Sequence, residues 1–406
     1  MLFGFSNSMF QSSIVGDCGE SNWTHAIKNN KVTQSEVQIS HWKNFKNDIF
    51  DMKTYFNVNT YRVSIEWSHI EPLQGEYDIN ILNKYKELAQ YCISLNIKPM
   101  FTLHHFNDPL WFSDIGGFEK EENIKYFVNF CKFVFIHLNE YVKIWCTINE
   151  PAIYTFMGYF LGDFPPFCKF DVTRTMNTLK NLMISHVNVY KELRSINNSE
   201  DIEIGIVHNV LLFKKRYEYD VIGSIVINMF NEITNNVLIK FFETGVYDYD
   251  GFFGNVYYEN KDILTSNDFF GLNFYANPVV GPNFQNIYGA TCFPDQIMGD
   301  MYLPIDPKGF SEAIDLVAKL GVPIYITETG IADQTDNLRQ IFINEYLKVF
   351  DDKITNGYNI KGIYFWTYRD NYEWNQSNKL FGFNDKFGNK KNSCKILQEF
   401  GLRLSA

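Results

Sequence analysis

The chain is poor in several features that would direct it elsewhere. It has no apolar run near the roughly 20 residues needed to span a bilayer, and no charged segment followed by an apolar one at its N-terminus. Neither a membrane anchor nor a secretory leader is expected; Met1-Leu-Phe-Gly-Phe5 reads as a first strand already under way. Positive charge is in deficit, with 36 Lys and Arg against 47 Asp and Glu and a net charge of −11. Nucleic acids and anionic membrane surfaces require a basic face, so neither is an expected partner. Cysteines are scattered at 18, 92, 131, 146, 168, 292 and 394, odd in number and without a Cys-x-x-Cys pair. Free thiols in a reducing, cytoplasmic setting fit this better than a disulfide framework. No Gly-x-Gly-x-x-Gly turn follows the first strand, and there is no His-Glu-x-x-His and no Cys cluster, so no cofactor and no metal are expected. Linkers, low-complexity tracts and short repeats are also missing, and residues 1–406 read as one domain. Three Asn-x-Ser/Thr sequons, at Asn22, Asn197 and Asn375, read as chance.

What is present is alternation. Short apolar strands are expected at 3–5, 61–67, 98–105, 143–149, 203–208, 268–275, 323–327 and 362–368. Amphipathic helical patterns fall between them, near 34–56, 80–95, 121–141, 173–196, 222–244, 310–320 and 336–354, with a last one at 393–404. An irregular stretch follows residue 244, and 276–306 reads as a loop rich in Asn, Pro and Gly. Strand–helix alternation means a parallel sheet. Eight units predict an α/β fold, a closed (β/α)8 TIM barrel, with an open doubly wound sheet as the alternative.

In such a barrel the active site lies at the C-terminal ends of the strands. The strand ends carry Glu66 and Trp67, His104 and His105, Asn149 and Glu150, His208 and Asn209, Asn273 and Tyr275, Thr327 and Glu328, and Trp366. Two stretches stand out, Lys143-Ile-Trp-Cys-Thr-Ile-Asn-Glu-Pro151 and Pro323-Ile-Tyr-Ile-Thr-Glu-Thr-Gly330. Each is an apolar strand that stops at a carboxylate, the outline of a two-carboxylate site. Imidazoles, amides and indoles supply the hydrogen-bonding groups and flat faces that a hydroxyl-rich ligand needs. Adjacent side chains on a strand point to opposite faces, so His104 and His105 read as one ligand and one packed histidine, not a metal pair. An arginine in a strand, Arg62, needs an anion if buried, and Glu328 is the natural candidate.

These residues together resemble the family-one glycoside hydrolases, the β-glucosidase and β-galactosidase family, over nearly the whole chain. Thr147-Ile-Asn-Glu-Pro151 resembles the acid/base motif and Ile326-Thr-Glu-Thr-Gly330 the nucleophile motif, usually TENG. Phe10-Gln11, Tyr61-Arg-Val-Ser-Ile-Glu-Trp-Ser68, Thr102-Leu-His-His105, Asn273-Phe-Tyr275 and Trp366-Thr-Tyr-Arg-Asp-Asn-Tyr-Glu-Trp374 match further family segments in order. The forms Val63-Ser-Ile-Glu-Trp67 and His104-His-Phe106 are more similar to the archaeal branch. Departures are Thr329 for Asn, His69 for Arg, Phe106 for Trp, and a missing Gly after the last Glu-Trp pair.

The resemblance implies a retaining β-glycosidase that removes terminal sugars through a covalent glycosyl-enzyme. Glu150 is then the acid/base and Glu328 the nucleophile, the latter oriented by Arg62 and Tyr275. Gln11, His105, Asn149, Trp366, Glu373 and Trp374 hold the sugar. The implied partner is a small β-glycoside or oligosaccharide, with homo-oligomerisation left open. Two rival readings remain: a sugar-binding barrel with little chemistry, and a 6-phospho-β-glycosidase. A carboxylate at 373 is expected to repel phosphate, although Lys379 lies nearby in sequence.

Overall fold

Eight short segments of β-branched and aromatic residues pair in parallel and close on themselves. They are β1 (Leu2–Asn7), β2 (Thr60–Ser64), β3 (Lys98–Thr102), β4 (Ile144–Asn149), β5 (Glu203–Asn209), β6 (Phe269–Asn273), β7 (Ile324–Thr329) and β8 (Ile360–Trp366). Each strand pairs with its neighbours in sequence, and β8 returns to β1, with Leu2 opposite Gly362 and Phe5 opposite Phe365. The computed structural model describes residues 1–13, 17–33, 40–251, 253–281, 292–301, 303–376 and 379–405.

A closed parallel barrel buries both faces of every strand, so alternate residues meet two different cores. On β2, Tyr61 points outward to His41 of the helix His41–Thr54. Arg62, one residue on, reaches across the barrel interior to β3, β4 and β7. The inner floor is a separate apolar cluster of Met100, Ile144, Cys146, Val207, Phe269, Tyr325 and Tyr364. It seals the barrel below Arg62 and leaves the C-terminal rim as the polar end.

Helices follow the strands, and their starts are written in the sequence. Asp78, Asp171, Asp220 and Asp306 each accept a hydrogen bond from a backbone N–H of the first turn, at Ile79–Ser94, Val172–Ile196, Val221–Asn231 and Pro307–Ala318. Three more long helices are Ile124–Leu138, Asn337–Thr355 and Cys394–Ser405. Among the described residues no helix is long and apolar enough to cross a membrane.

The structure departs from the expected elements in several places, the third and sixth strands being shorter than expected at Lys98–Thr102 and Phe269–Asn273. The first long helix begins at His41; residues 34–39 of the expected span lie outside the described residues. The second strand stops at Ser64, because Trp67–Ile70 winds into a short helix fixed by Trp67 Nε1 donating to Glu71 Oε2 at 2.6 Å. The helix expected at 222–244 is broken by a π-helical turn, Glu232–Asn236. There the Asn235 side chain bonds the loop after β5 through Leu211 N. The stretch after 244 is not irregular: Val246–Gly251 and Gly254–Glu259 form an antiparallel pair. Its period-two pattern buries Tyr247 and Tyr249 and turns Asp248 and Asp250 outward.

Candidate active site

The C-terminal ends of β4 and β7 deliver the two carboxylates to one cavity. Glu150 and Glu328 both line it, together with Gln11, His105, Asn149, Tyr275, Trp366, Glu373 and Trp374. Every site residue expected from the sequence is therefore brought to one place, Arg62 lying just beneath and in contact with Glu328.

Arg62 organises the floor. Its Nη1 donates to Glu328 Oε1 at 2.5 Å, its Nη2 to Asn149 Oδ1 at 2.7 Å and its Nε to Thr102 Oγ1 at 3.0 Å. Burial works against its charge, but the Glu328 carboxylate reverses that and raises its pKa. A buried guanidinium bonded to a carboxylate this way holds it in place. Tyr275 Oη donates to the second oxygen, Glu328 Oε2, at 2.6 Å. Glu328 is thus clamped from two sides with its carboxylate at the cavity wall.

Glu150 is held differently. Its backbone is left-handed, φ 48° and ψ 58°, where the strand gives way to the helix Pro151–Thr155. Phe106 and Trp374, also in the cavity wall, share this conformation with φ 65° and 50°. Non-glycine residues adopt it at a cost of about 1–3 kcal/mol each, and such strain gathers at functional sites. Among the described residues no cation touches Glu150. Asn273 Nδ2 donates to its Oε1 at 2.6 Å, and Thr327 Oγ1 orients Asn273 by donating to its Oδ1 at 2.7 Å. Burial, and next the charge of Glu328, push the Glu150 carboxyl up to about 8. It therefore holds a proton at neutral pH.

The far end of the cavity is shaped for hydroxyls. Glu373 Oε2 accepts from Trp366 Nε1 at 3.2 Å and from Gln11 Nε2 at 3.3 Å. Burial raises the Glu373 carboxyl to about 8. Gln11 Oε1 and Asn209 Oδ1 are buried acceptors with no partner among the described residues. Acceptors in a cavity wall that no protein group engages are available to the hydroxyls of a ligand. Asn149 directs its Nδ2 toward His105 Nε2 at 3.3 Å, because its oxygen is taken by Arg62. The His105 proton then sits on Nδ1, and burial followed by Arg62 keeps the ring neutral. Its ring lies near-parallel to Trp366 and Trp374, at 26° and 28°. His104 faces the other way and packs, bonded to Asp108 Oδ1 at 2.8 Å. The two rings divide as expected, one in the cavity and one packed, although both lie beyond the end of β3 at Thr102 rather than on the strand.

Two roles were not legible beforehand. Asn209 and Asn273 stand at strand ends, so the strand-end rule finds them, yet their bonding to Glu150 depends on strand stagger that no motif encodes. Thr329, the departure beside the nucleophile motif, is buried and its hydroxyl has no partner among the described residues.

A proton-bearing carboxyl facing a guanidinium-clamped one is what cleavage of a glycosidic bond by double displacement demands. The fold and the site define a glycoside hydrolase, and its substrate is a small carbohydrate. The chain belongs to glycosyl hydrolase family 1, whose profile matches residues 2–395. Its activity is that of a retaining β-glycosidase. It is 27% identical to a 6-phospho-β-galactosidase from Clostridium acetobutylicum, over 90% of this chain and 85% of that one. A β-glucosidase structure from Exiguobacterium marinum superposes with a TM-score of 0.87 at 26% identity, over 100% of this chain and 98% of that one. A β-glycosidase from Pyrococcus horikoshii superposes with a TM-score of 0.85 at 27% identity, over 98% and 93%.

Proposed function

We propose that Glu328 is the nucleophile and Glu150 the acid and then the base, acting on a terminal β-D-glycoside of a neutral sugar. A Glu328 oxygen attacks the anomeric carbon while Glu150 gives its proton to the departing oxygen, releasing the alcohol. The products are a glycosyl ester on Glu328 and an ionised Glu150. Esterification removes the Glu328 charge, one of the causes that hold the proton on Glu150. Glu150 now takes a proton from water, whose oxygen attacks the anomeric carbon and frees Glu328. Asn149 meets the 2-hydroxyl, while Gln11, His105, Trp366, Glu373 and Trp374 hold the rest of the ring. A cytoplasmic setting belongs to this proposal, supported by Cys92, Cys131, Cys146 and Cys394 as buried thiols.

The observation that carries the mechanism is the unlike pair: Glu150 raised to about 8 by burial and by Glu328, while Glu328 is bonded to Arg62. The glycone is argued from charge. The described lining contains three carboxyls, Glu150, Glu328 and Glu373, and no Lys or Arg. Lys379, suggestive in the sequence, donates to the Asp300 carbonyl at 2.5 Å. Glu373 is mostly protonated at neutral pH, so its repulsion of phosphate is weaker than a bare carboxylate's. A phosphate there still lacks a cation in the described lining to meet it, whereas neutral hydroxyls find Gln11 and Glu373. The named activity of the Clostridium relative therefore does not carry over. The test is a panel of p-nitrophenyl β-glucoside, β-galactoside and their 6-phosphates. Neutral glycosides are expected to be favoured in kcat/KM by at least about 100-fold, the scale of unpaired buried charge. Preference for a 6-phosphate would reverse the assignment.

A further inference from the structure

We propose that the leaving-group side of the cavity is built for an apolar aglycone, an alkyl chain or a plain aromatic ring, and not for a second sugar. The proposal rests on Glu150 as the acid, because the acid must face the departing oxygen and so marks the side on which the aglycone lies. From Glu150 the chain runs straight into the helix Pro151–Thr155 and the π-helical turn Phe156–Leu161. Ile153, Phe156, Met157 and Leu161 from this segment line the cavity, joined by Leu211 and Phe213 from the loop after β5. The two walls touch, Phe156 lying 6.0 Å from Phe213 between ring centroids. Phe230 packs behind both at 5.5 and 5.0 Å.

A bound sugar at this place would need hydrogen-bond partners, and the backbone of Leu211, Leu212 and Phe213 is already engaged elsewhere. Leu211 N and Phe213 N donate to Asn235 Oδ1 and Asn231 Oδ1, at 3.3 and 2.7 Å. The carbonyls of the same two residues accept from Asn235 Nδ2 and Asn231 Nδ2, at 2.5 and 3.1 Å. Leu212 N donates to Asn277 Oδ1 at 3.0 Å. Two asparagines on the neighbouring helical segment thus seal both edges of the loop and leave apolar carbon facing the cavity. The contrast with the glycone end, where Gln11 Oε1 has no partner among the described residues, sets a hydroxyl-reading end against an apolar wall, with Asn209, beside Glu150, at the boundary between them. Hydroxyls placed on the apolar half lose water without replacement, whereas each buried methylene tightens binding about fourfold.

The test uses sulfur-linked ligands, which bind without being cleaved. Octyl 1-thio-β-D-glucoside below its micelle concentration, phenyl 1-thio-β-D-glucoside and 4-thiocellobiose share a glycone and differ in the group beyond the sulfur. Calorimetric titration of the wild-type protein is expected to rank octyl and phenyl ahead of thiocellobiose by at least about 30-fold, the value of two to three buried methylenes. Ile153→Asn and Leu211→Gln, both at part-exposed wall positions, are each expected to lower the octyl-to-thiocellobiose ratio about tenfold. Two positions are used so that misfolding of one variant does not decide the outcome. Thiocellobiose binding as tightly as the octyl ligand, or no binding by any of the three, would overturn the proposal. Turnover of p-nitrophenyl β-glucoside by the same preparation is read separately. An inactive enzyme that still ranks the ligands as expected counts against the catalytic assignment and for the apolar wall.

Discussion

Glu328→Gln is expected to lower kcat/KM for aryl β-glycosides by about 10⁵-fold, the scale seen when a covalent nucleophile is removed. The amide keeps the size and shape of the carboxylate but cannot form the glycosyl ester. Arg62 loses its anion, and an uncompensated buried charge is destabilising by about 3–5 kcal/mol. Three partners remain to hold it, Asn149 Oδ1, Thr102 Oγ1 and the Thr327 carbonyl at 3.3 Å, so the variant is expected to fold with a lowered Tm. Because Glu328 also helps keep the proton on Glu150, the Glu150 carboxyl carbon should titrate at lower pH in the variant. Mass spectrometry after a 2-fluoro glycoside inactivator should find the label on Glu328 in the wild type. Near-normal turnover by the variant, or a label elsewhere, would refute the role.

Glu150→Ala is expected to separate the two chemical steps. Alkyl glycosides, whose leaving oxygen needs a proton, should slow by about 10²–10⁴-fold, the usual worth of general acid–base catalysis. A dinitrophenyl glycoside needs little help to leave, so its first step should be nearly spared while the second becomes limiting. Azide, a nucleophile that requires no base, should then restore turnover and yield a glycosyl azide. The pH profile gives a further check. Burial and Glu328 raise the Glu150 pKa to about 8, so the needed proton is present below that pH and lost above it. Wild-type kcat/KM should decline through pH 8, and the decline should be shallower in Glu150→Ala, where Glu373 alone still titrates in that range. Equal slowing of good and poor leaving groups, without azide rescue, would exclude Glu150 as the acid.

How far the sequence discloses this depends on the kind of signal. The barrel is legible because each strand is an apolar run followed by an amphipathic helix, and strand ends then point to the rim. Arg62 is legible because alternation along Thr60–Ser64 places its side chain opposite to Tyr61. The antiparallel pair at Val246–Glu259 was hidden, although its Val-Tyr-Asp-Tyr-Asp alternation is plain afterwards, since it interrupts a pattern of parallel units. The apolar wall was hidden for another reason. Phe156, Met157 and Leu161 are helical apolar residues, and nothing in a helical stripe tells a cavity wall from a core. Only the folded chain, which sets them against the cavity opposite Leu211 and Phe213, distinguishes them.

The left-handed backbone at residue 150 sets catalysis and durability against each other. A glycine there would relax the conformation without steric conflict and remove a buried carboxyl in the same stroke, so Glu150→Gly should melt at a higher temperature than the wild type. In directed evolution for heat resistance without an activity screen, this codon should be among the first to drift, and the hardiest survivors would be idle.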